Sequence, residues 1–180
     1  MKYTLAVLAE NRPGVLTHIA GLISRRAFNI ESIAAGHTEE ADTTRITIGV
    51  EVDDELELEQ VVNQLAKLVD VIKIVNLTYV DSIQRELALI KVKASKVNRS
   101  ELVSIVEIFR AKIVDVNRET MAIELTGEES KIDALCEVLM DFGIIEIVRT
   151  GKIALSRGPV PAKEMEEGST MNSGFFIKEI

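Results

Sequence analysis

The chain has 180 residues, of which 47% are hydrophobic and 28% charged, and its formal net charge is −8. This composition describes a globular protein of one large or two small domains, able to bury about 70% of its unfolded surface without disulfide or metal staples. Neither half is basic, since residues 1–79 carry 7 basic against 12 acidic side chains, so nucleic acid and anionic membrane are excluded as main partners. In chain order, residues 3–9 alternate as a strand, and Asn11-Arg12-Pro13-Gly14-Val15-Leu16 joins them to an amphipathic helix with apolar residues at Val15, Leu16, Ile19, Leu22 and Ile23. Pro13 lacks an N–H that a first helical turn leaves unpaired, and Gly14 has no Cβ to keep a ligand from the main chain. Unpaired donors and the positive end of the helix dipole face one spot, which suits a small anion such as an amino-acid carboxylate. Residues 28–35 are extended, residues 38–43 form an acid-rich turn region, and residues 45–52 alternate at Ile46, Ile48, Val50 and Val52. Asp53 or Asp54 caps a helix with the stripe Leu58, Val61, Val62, Leu65 and Leu68, and residues 71–80 close the unit as a strand.

The second half repeats this order. Ala88, Ile90 and Val92 alternate with Leu87, Leu89, Lys91 and Lys93 in a strand, and Asn98-Arg99-Ser100-Glu101 supplies a cap for a helix with Leu102, Val103, Ile105, Val106 and Phe109. Residues 112–116 and 120–125 read as a strand pair, and Thr126-Gly127-Glu128-Glu129 offers a second capping box for a helix ending near Gly143. Residues 144–155 form the last strand region, bent at Gly151. The expected fold class is α+β, two ferredoxin-like βαββαβ units in tandem, with domains at residues 1–80 and 81–157. From Gly158 the pattern dissolves into a mobile tail, residues 158–180, whose apolar tip Phe175-Phe176-Ile177 is available to dock on a partner.

These residues carry a resemblance. The opening unit resembles an ACT domain, and residues 1–158 resemble the regulatory (small) subunit of acetolactate synthase, also called acetohydroxyacid synthase. The matching stretches are Asn11 to Leu16, Phe28-Asn29-Ile30-Glu31-Ser32-Ile33, Gln64-Leu65-Ala66-Lys67-Leu68 with Asp70-Val71-Ile72-Lys73, the run from Glu107 to Val116, and Arg149-Thr150-Gly151 with Leu155-Ser156-Arg157-Gly158. The first stretch suits other ACT proteins too, whereas Asn29 to Ser32 and the second-half stretches point to this family. The resemblance implies a chain without catalytic residues that binds the large, catalytic subunit, raises its activity in joining two pyruvates to 2-acetolactate with loss of CO2, and confers feedback by valine in branched-chain amino acid biosynthesis. It implies no cofactor or metal in this chain, with thiamine diphosphate, Mg and FAD confined to the catalytic partner. In the family, paired ACT domains hold the amino acid between protomers, so a homodimer is the minimum assembly. Carried over, Asn11, Gly14, Val15 and Leu16 form one wall and Asn29 with Ile30 the other: N–H groups of Gly14 and Val15 hold the carboxylate, the amide oxygen of Asn29 or Asn11 accepts from the ammonium, and Leu16 and Ile30 contact the isopropyl group. Arg110 and Asp115 are candidates for contact with the catalytic subunit.

The remaining features have plainer readings. His18 and His37 stand without Cys, Asp or Glu at ligand spacing, which points to solvated or core-edge histidines rather than a metal site. Cys136 lies in the apolar stripe Ile132, Leu135, Leu139 as a small buried hydrophobe, Arg25-Arg26 form a solvated helix end, and Glu39-Glu40-Ala41-Asp42 is a loop. No apolar run reaches the roughly 18 residues of a membrane span and no leader pattern opens the chain, so a cytoplasmic location is expected. A stand-alone enzyme would need a phosphate loop, paired cysteines or a serine elbow, and an RNA-binding sheet would need exposed aromatics with basic flanks; the chain has neither set. The competing function is an ACT-domain amino-acid sensor regulating another metabolic enzyme, and the second half separates the two.

Overall fold

The computed structural model describes residues 1–25, 28–165 and 178–179. It divides into two compact units, residues 1–83 with 152–180, and residues 84–151. In the first unit β1 (Lys2–Glu10), α1 (Val15–Arg25), β2 (Asn29–His37), β3 (Thr43–Glu51), α2 (Glu55–Leu65) and β4 (Val71–Asn76) follow in the expected βαββαβ order. The antiparallel sheet runs β4-β1-β3-β2, so β1 is central and β2 is an edge. Register places Leu5 opposite Ile48 and Val7 opposite Ile46, and these side chains, with Ile74, bury against Ile19 and Ile23 of α1 and Leu58, Val62 and Leu65 of α2. Asp54 takes the cap position of α2, accepting from the Glu57 N–H at 2.8 Å, while the Glu57 carboxylate accepts from the Asp53 N–H at 2.7 Å. Both ends of that box are satisfied reciprocally. The strand expected over residues 71–80 stops at Asn76, because the Asn76 side chain accepts from the Thr78 N–H at 3.0 Å and turns the chain.

The second unit contains the length of β5 (Ser82–Lys93) from residue 84, then α3 (Arg99–Ile108), β6 (Lys112–Val116), β7 (Thr120–Gly127), α4 (Glu129–Met140) and β8 (Ile144–Arg149). Its sheet order β6-β7-β5-β8 repeats that of the first. Ile90, Val92, Met121 and Ile123 bury against Leu102, Val106, Ile132 and Leu135, and Cys136 packs half-buried at the edge of this core, where burial pushes its thiol pKa up. Neither expected cap forms here: Asn98 Oδ1 turns back to accept from the Ser95 N–H at 2.7 Å, and Thr126 lies in β7 opposite Leu87. Beside β8, Arg149 forks onto Glu86 at 3.0 and 2.6 Å and reaches Asp133 at 2.7 Å.

Two expectations about the chain after residue 150 are corrected. The last strand region is two strands, β8 and β9 (Ile153–Ser156), parted at Gly151, whose φ of +78° suits a glycine. From Lys152 onward the chain belongs to the first unit, so the second unit ends at Gly151 rather than at 157. Residues 158–165 are not loose: Ala162 and Met165 bury with Ala154 against Ala6, Val75 and Leu77 on the outer face of the first sheet. Lys73 donates to the Lys163 carbonyl at 2.7 Å, and Arg45 to the Ala154 carbonyl at 2.6 Å. This strap explains why β1 is buried on both faces where alternation predicted a half-buried strand. The remainder of the expected tail up to residue 177, including Phe175 to Ile177, lies outside the described residues, beyond which β10 (Lys178–Glu179) pairs with β4.

Helix α3 ends with the Ala111 N–H on the Val106 carbonyl at 2.9 Å and the Arg110 N–H on the Glu107 carbonyl at 3.0 Å. This double closure usually puts a glycine where Arg110 sits at φ +51°. Arg110→Gly should therefore raise stability by about 1 kcal/mol in urea denaturation followed by circular dichroism. Glu86→Ala should lower it by about 2 kcal/mol, since it removes a buried carboxylate and leaves the part-exposed Arg149 guanidinium to Asp133 alone, whereas Asp133→Ala, with an exposed carboxylate, should cost less than about 1 kcal/mol.

Candidate functional site

The turn from β1 into α1 is held from three sides. The Glu10 N–H donates to the Asp70 carbonyl at 2.8 Å, tying the last residue of the central strand to the loop before β4. The Asn11 N–H donates to the Asp42 carbonyl at 2.7 Å, its Nδ2 donates to the Ala41 carbonyl at 3.1 Å, and its Oδ1 accepts from the Thr44 hydroxyl at 3.0 Å. Asn11 Nδ2 also stands 3.4 Å from His37 Nδ1. Asn11 is thus a latch between the helix start and the β2–β3 loop, and its amide oxygen is already engaged.

Gly14 is exposed and sits at φ +94°, a conformation that strains any residue with a Cβ. The Val15 N–H reaches the Arg12 carbonyl only at 3.4 Å, near the limit for a hydrogen bond, so α1 opens with a weakly engaged donor. One turn on, the His18 N–H donates to the Gly14 carbonyl at 2.9 Å, and His18 Nδ1 pairs with Asp70 Oδ2 at 2.9 Å. The imidazole lies 3.8 Å from where a Cβ on Gly14 would project. The sequence marks Asp70 only as part of a family stretch and His18 and His37 as solvated or core-edge histidines; the strand ends and the α2–β4 loop meet at this corner, a three-dimensional fact with no local signature. Val15 is buried in the first core and offers only its N–H, whereas the Leu16 side chain is 46% exposed, unusual for a leucine on this helix.

Asn29 and Ile30 open the edge strand β2. Register puts Asn29 opposite Glu51 and Glu51 opposite Lys2, while His37 is opposite Thr44 beside the Asn11 latch. Asn29 and residues 11–16 therefore stand at opposite ends of the β2 edge, about 26 Å apart at 3.3 Å per residue, and one chain does not bring them together. Asn29 is exposed and Ile30 is half-buried against the first core. Glu31, which follows them at the bulge in β2, pairs with Lys2 and lies 4.0 Å from Lys152. In the second unit Arg110 and Asp115 are both exposed, at the entry to and on the edge strand β6, flanked by exposed Val114 and Val116.

No helix among the described residues is long and apolar enough to cross a membrane. Residues 5–73 match the model of the AHAS small subunit-like ACT domain, and residues 85–158 match that of the small subunit of acetolactate synthase. The second match separates the chain from ACT sensors of other pathways. The acetolactate synthase small subunit of Mycolicibacterium smegmatis is 50% identical over 87% of this chain and 92% of its own length. That of Bacillus subtilis is 48% identical over 88% of this chain and 92% of its own length. The crystal structure of the acetolactate synthase small subunit from Thermotoga maritima superposes with a TM-score of 0.79 at 40% identity, covering 89% of this chain and 99% of that one. With both units matched in order and half the residues shared with such relatives, the chain belongs to the acetolactate synthase small-subunit family, and its first unit is that family's ACT domain.

Proposed function

We propose that this chain is a non-catalytic regulatory subunit that binds the large subunit of acetolactate synthase, raises its activity and makes it answer to valine. Thiamine diphosphate, Mg and FAD belong to the large subunit in this reading, which forms 2-acetolactate and CO2 from two pyruvates. The observation that carries the effector site is the separation of its two walls along an open edge strand. A two-fold pairing of β2 with β2 of a second copy, antiparallel and centred near Ile33, lays Asn29 of one protomer beside His37, and so beside the Asn11 latch, of the other. The walls then meet only across the seam.

Valine fits that corner chemically. Its carboxylate takes the N–H groups of Gly14 and Val15 at the positive end of α1, and the Asn29 amide oxygen of the second protomer accepts from the ammonium, because Asn11 Oδ1 is committed to Thr44. Exposed Leu16 faces the isopropyl group and half-buried Ile30 contributes what its core packing leaves free. One methylene is worth about 1 to 3 kcal/mol in such a pocket, so leucine and isoleucine bind with modest discrimination. Feedback requires that valine favour one geometry of the pair over another, with a coupling of about 1 to 3 kcal/mol to the large subunit.

Two outcomes test this reading. Gly14→Asp places a carboxylate where the ligand's carboxylate sits, and should weaken valine binding at least about a hundredfold by calorimetry and abolish valine inhibition of the holoenzyme, whereas Gly14→Asn, with the same backbone strain and no charge, should cost about tenfold or less. Equal losses would assign the effect to strain and refute the carboxylate site. Asp115→Lys, and Arg110→Gly in spite of its gain in stability, should each weaken capture of the large subunit about tenfold in pull-down titrations; unchanged capture in both removes the β6 edge from the contact.

A further inference from the structure

The outer face of the first sheet carries a second concavity, a cleft of about 370 Å³ formed entirely within the first unit and within the size range of small-metabolite sites. Leu8 and Ile72 form its floor, Leu155 closes one side from the strap, and the acidic turn at residues 38–40 forms the rim. Apolar surface that would ordinarily be covered is left open here: Ile72 is 43% and Leu155 55% exposed.

Its charges are segregated. At the rim Lys163 Nζ lies 2.9 Å from Glu40 Oε1 and 3.2 Å from Glu39 Oε1, one ammonium against two carboxylates. Both acids stay ionised. Glu39 is held below the usual carboxylate range by its own backbone N–H and then by Lys163, and Glu40 by its bond to Lys163. On the other side the half-buried Arg45 guanidinium makes one hydrogen bond among the described residues, to the Ala154 carbonyl, and burial pulls its pKa down against the opposing pull of Glu39. A partly desolvated guanidinium with donors to spare favours a carboxylate. The cleft thus offers a guanidinium with donors to spare inside, two carboxylates sharing one ammonium at the rim, and apolar surface beside them.

We propose that this cleft is a second small-molecule site, distinct from the protomer seam, that binds an apolar α-amino acid with its carboxylate on Arg45, its ammonium on Glu39 and Glu40, and its side chain on Leu8, Ile72 and Leu155. A monocarboxylate or a monoamine satisfies only one of the two charges and binds more weakly. The rim turn is the same loop that Asn11 latches through Ala41 and Asp42, so occupancy of the cleft biases the helix start at Gly14, and by linkage the seam biases the cleft.

Calorimetric titration of the full-length chain with L-leucine tests this, using a Gly14→Asp background so that the seam is blocked. One binding event per chain is expected to survive in that background. Arg45→Gln, which keeps an amide donor for the Ala154 carbonyl, and Ile72→Glu, which sets a carboxylate on the half-exposed floor without touching the strap, should each weaken it at least tenfold; isovalerate and isoamylamine should bind at least tenfold more weakly than leucine. Absence of leucine binding in the Gly14→Asp background, retention of affinity in either added variant, or equal binding of either one-charge analogue overturns the cleft site. The seam is judged by a different comparison: if the native chain and Gly14→Asp bind the same number of leucines with the same affinity, the seam fails while the cleft stands.

Discussion

The effector site proposed for the first unit hangs on the end of one strand. Because β1 is hydrogen-bonded along both edges, to β3 and to β4, its last residue cannot drift, and the Glu10 and Asn11 N–H groups are both claimed by carbonyls of neighbouring loops. The start of α1 is therefore fixed in space by tertiary contacts and not by helix propensity, which is weak at a Pro-Gly opening. A helix start that were free to fray would bend its donors toward water, and a carboxylate arriving there would have to order them at an entropic cost. Donors fixed at a glycine that adopts positive φ freely are preorganised for an anion, and Asn11 holds the loop with three hydrogen bonds.

The two units share an order of elements but solve the problem of the sheet's second face differently. In the first, a segment that enters from beyond the second unit lays Ala154, Ala162 and Met165 over Ala6 and Val75, and buries the polar outer residues Thr4, Thr47 and Lys73 with them. Burial of Lys73 is offset in part by the bond from its ammonium to the Lys163 carbonyl. In the second, the corresponding face keeps Leu89 and Val148 exposed as a cross-strand pair, with the Lys91–Glu146 ion pair at 3.2 Å beside them. Sheets of equal topology thus have unequal tolerance to substitution: outward positions of β1 behave as core, those of β5 as surface.

The inner faces were legible in the sequence because period is a local property. Ile46, Ile48 and Val50 alternate and Leu58, Val61, Val62 and Leu65 repeat at helical spacing whatever lies above them, and all of them are buried where the period pointed. What escaped depends on partners far along the chain. Residues 158–165, rich in Gly and Pro, carry no period and read as a tail, yet the outer face of β1 gives Ala162 and Met165 somewhere to go. Caps were legible only where the competing bond was absent: Asp54 caps α2, whereas Asn98 finds Ser95 behind it and Thr126 is drawn into the ladder with β5. At the candidate site, the Gly14 opening was visible as a motif, but the latch that holds it joins Asn11 to Ala41 and Thr44, and no spacing rule links those positions.

The proposed site, split along an edge strand, also constrains how a signal could be sent. If the chains paired only when valine was present, occupancy would rise with chain concentration as well as with valine, and the response would report expression as much as metabolite. Under the proposed reading pairing therefore stands without the ligand, and valine would choose between two geometries of an existing pair. The composition of β2 suits this. Around Ile33 it runs Ala34, Ala35 and Gly36, side chains too small to lock a single packing, so the proposed seam would rest on main-chain hydrogen bonds worth about 0.5 to 1.5 kcal/mol each and little changed by a small rotation of one sheet against the other. Contacts that distinguish the rotated forms would then be concentrated at the two ends, where the proposed pairing brings Asn29 of one protomer to the Gly14 corner of the other. A ligand bridging those ends would read the rotation with the longest lever the strand provides, which is where its differential affinity would be greatest.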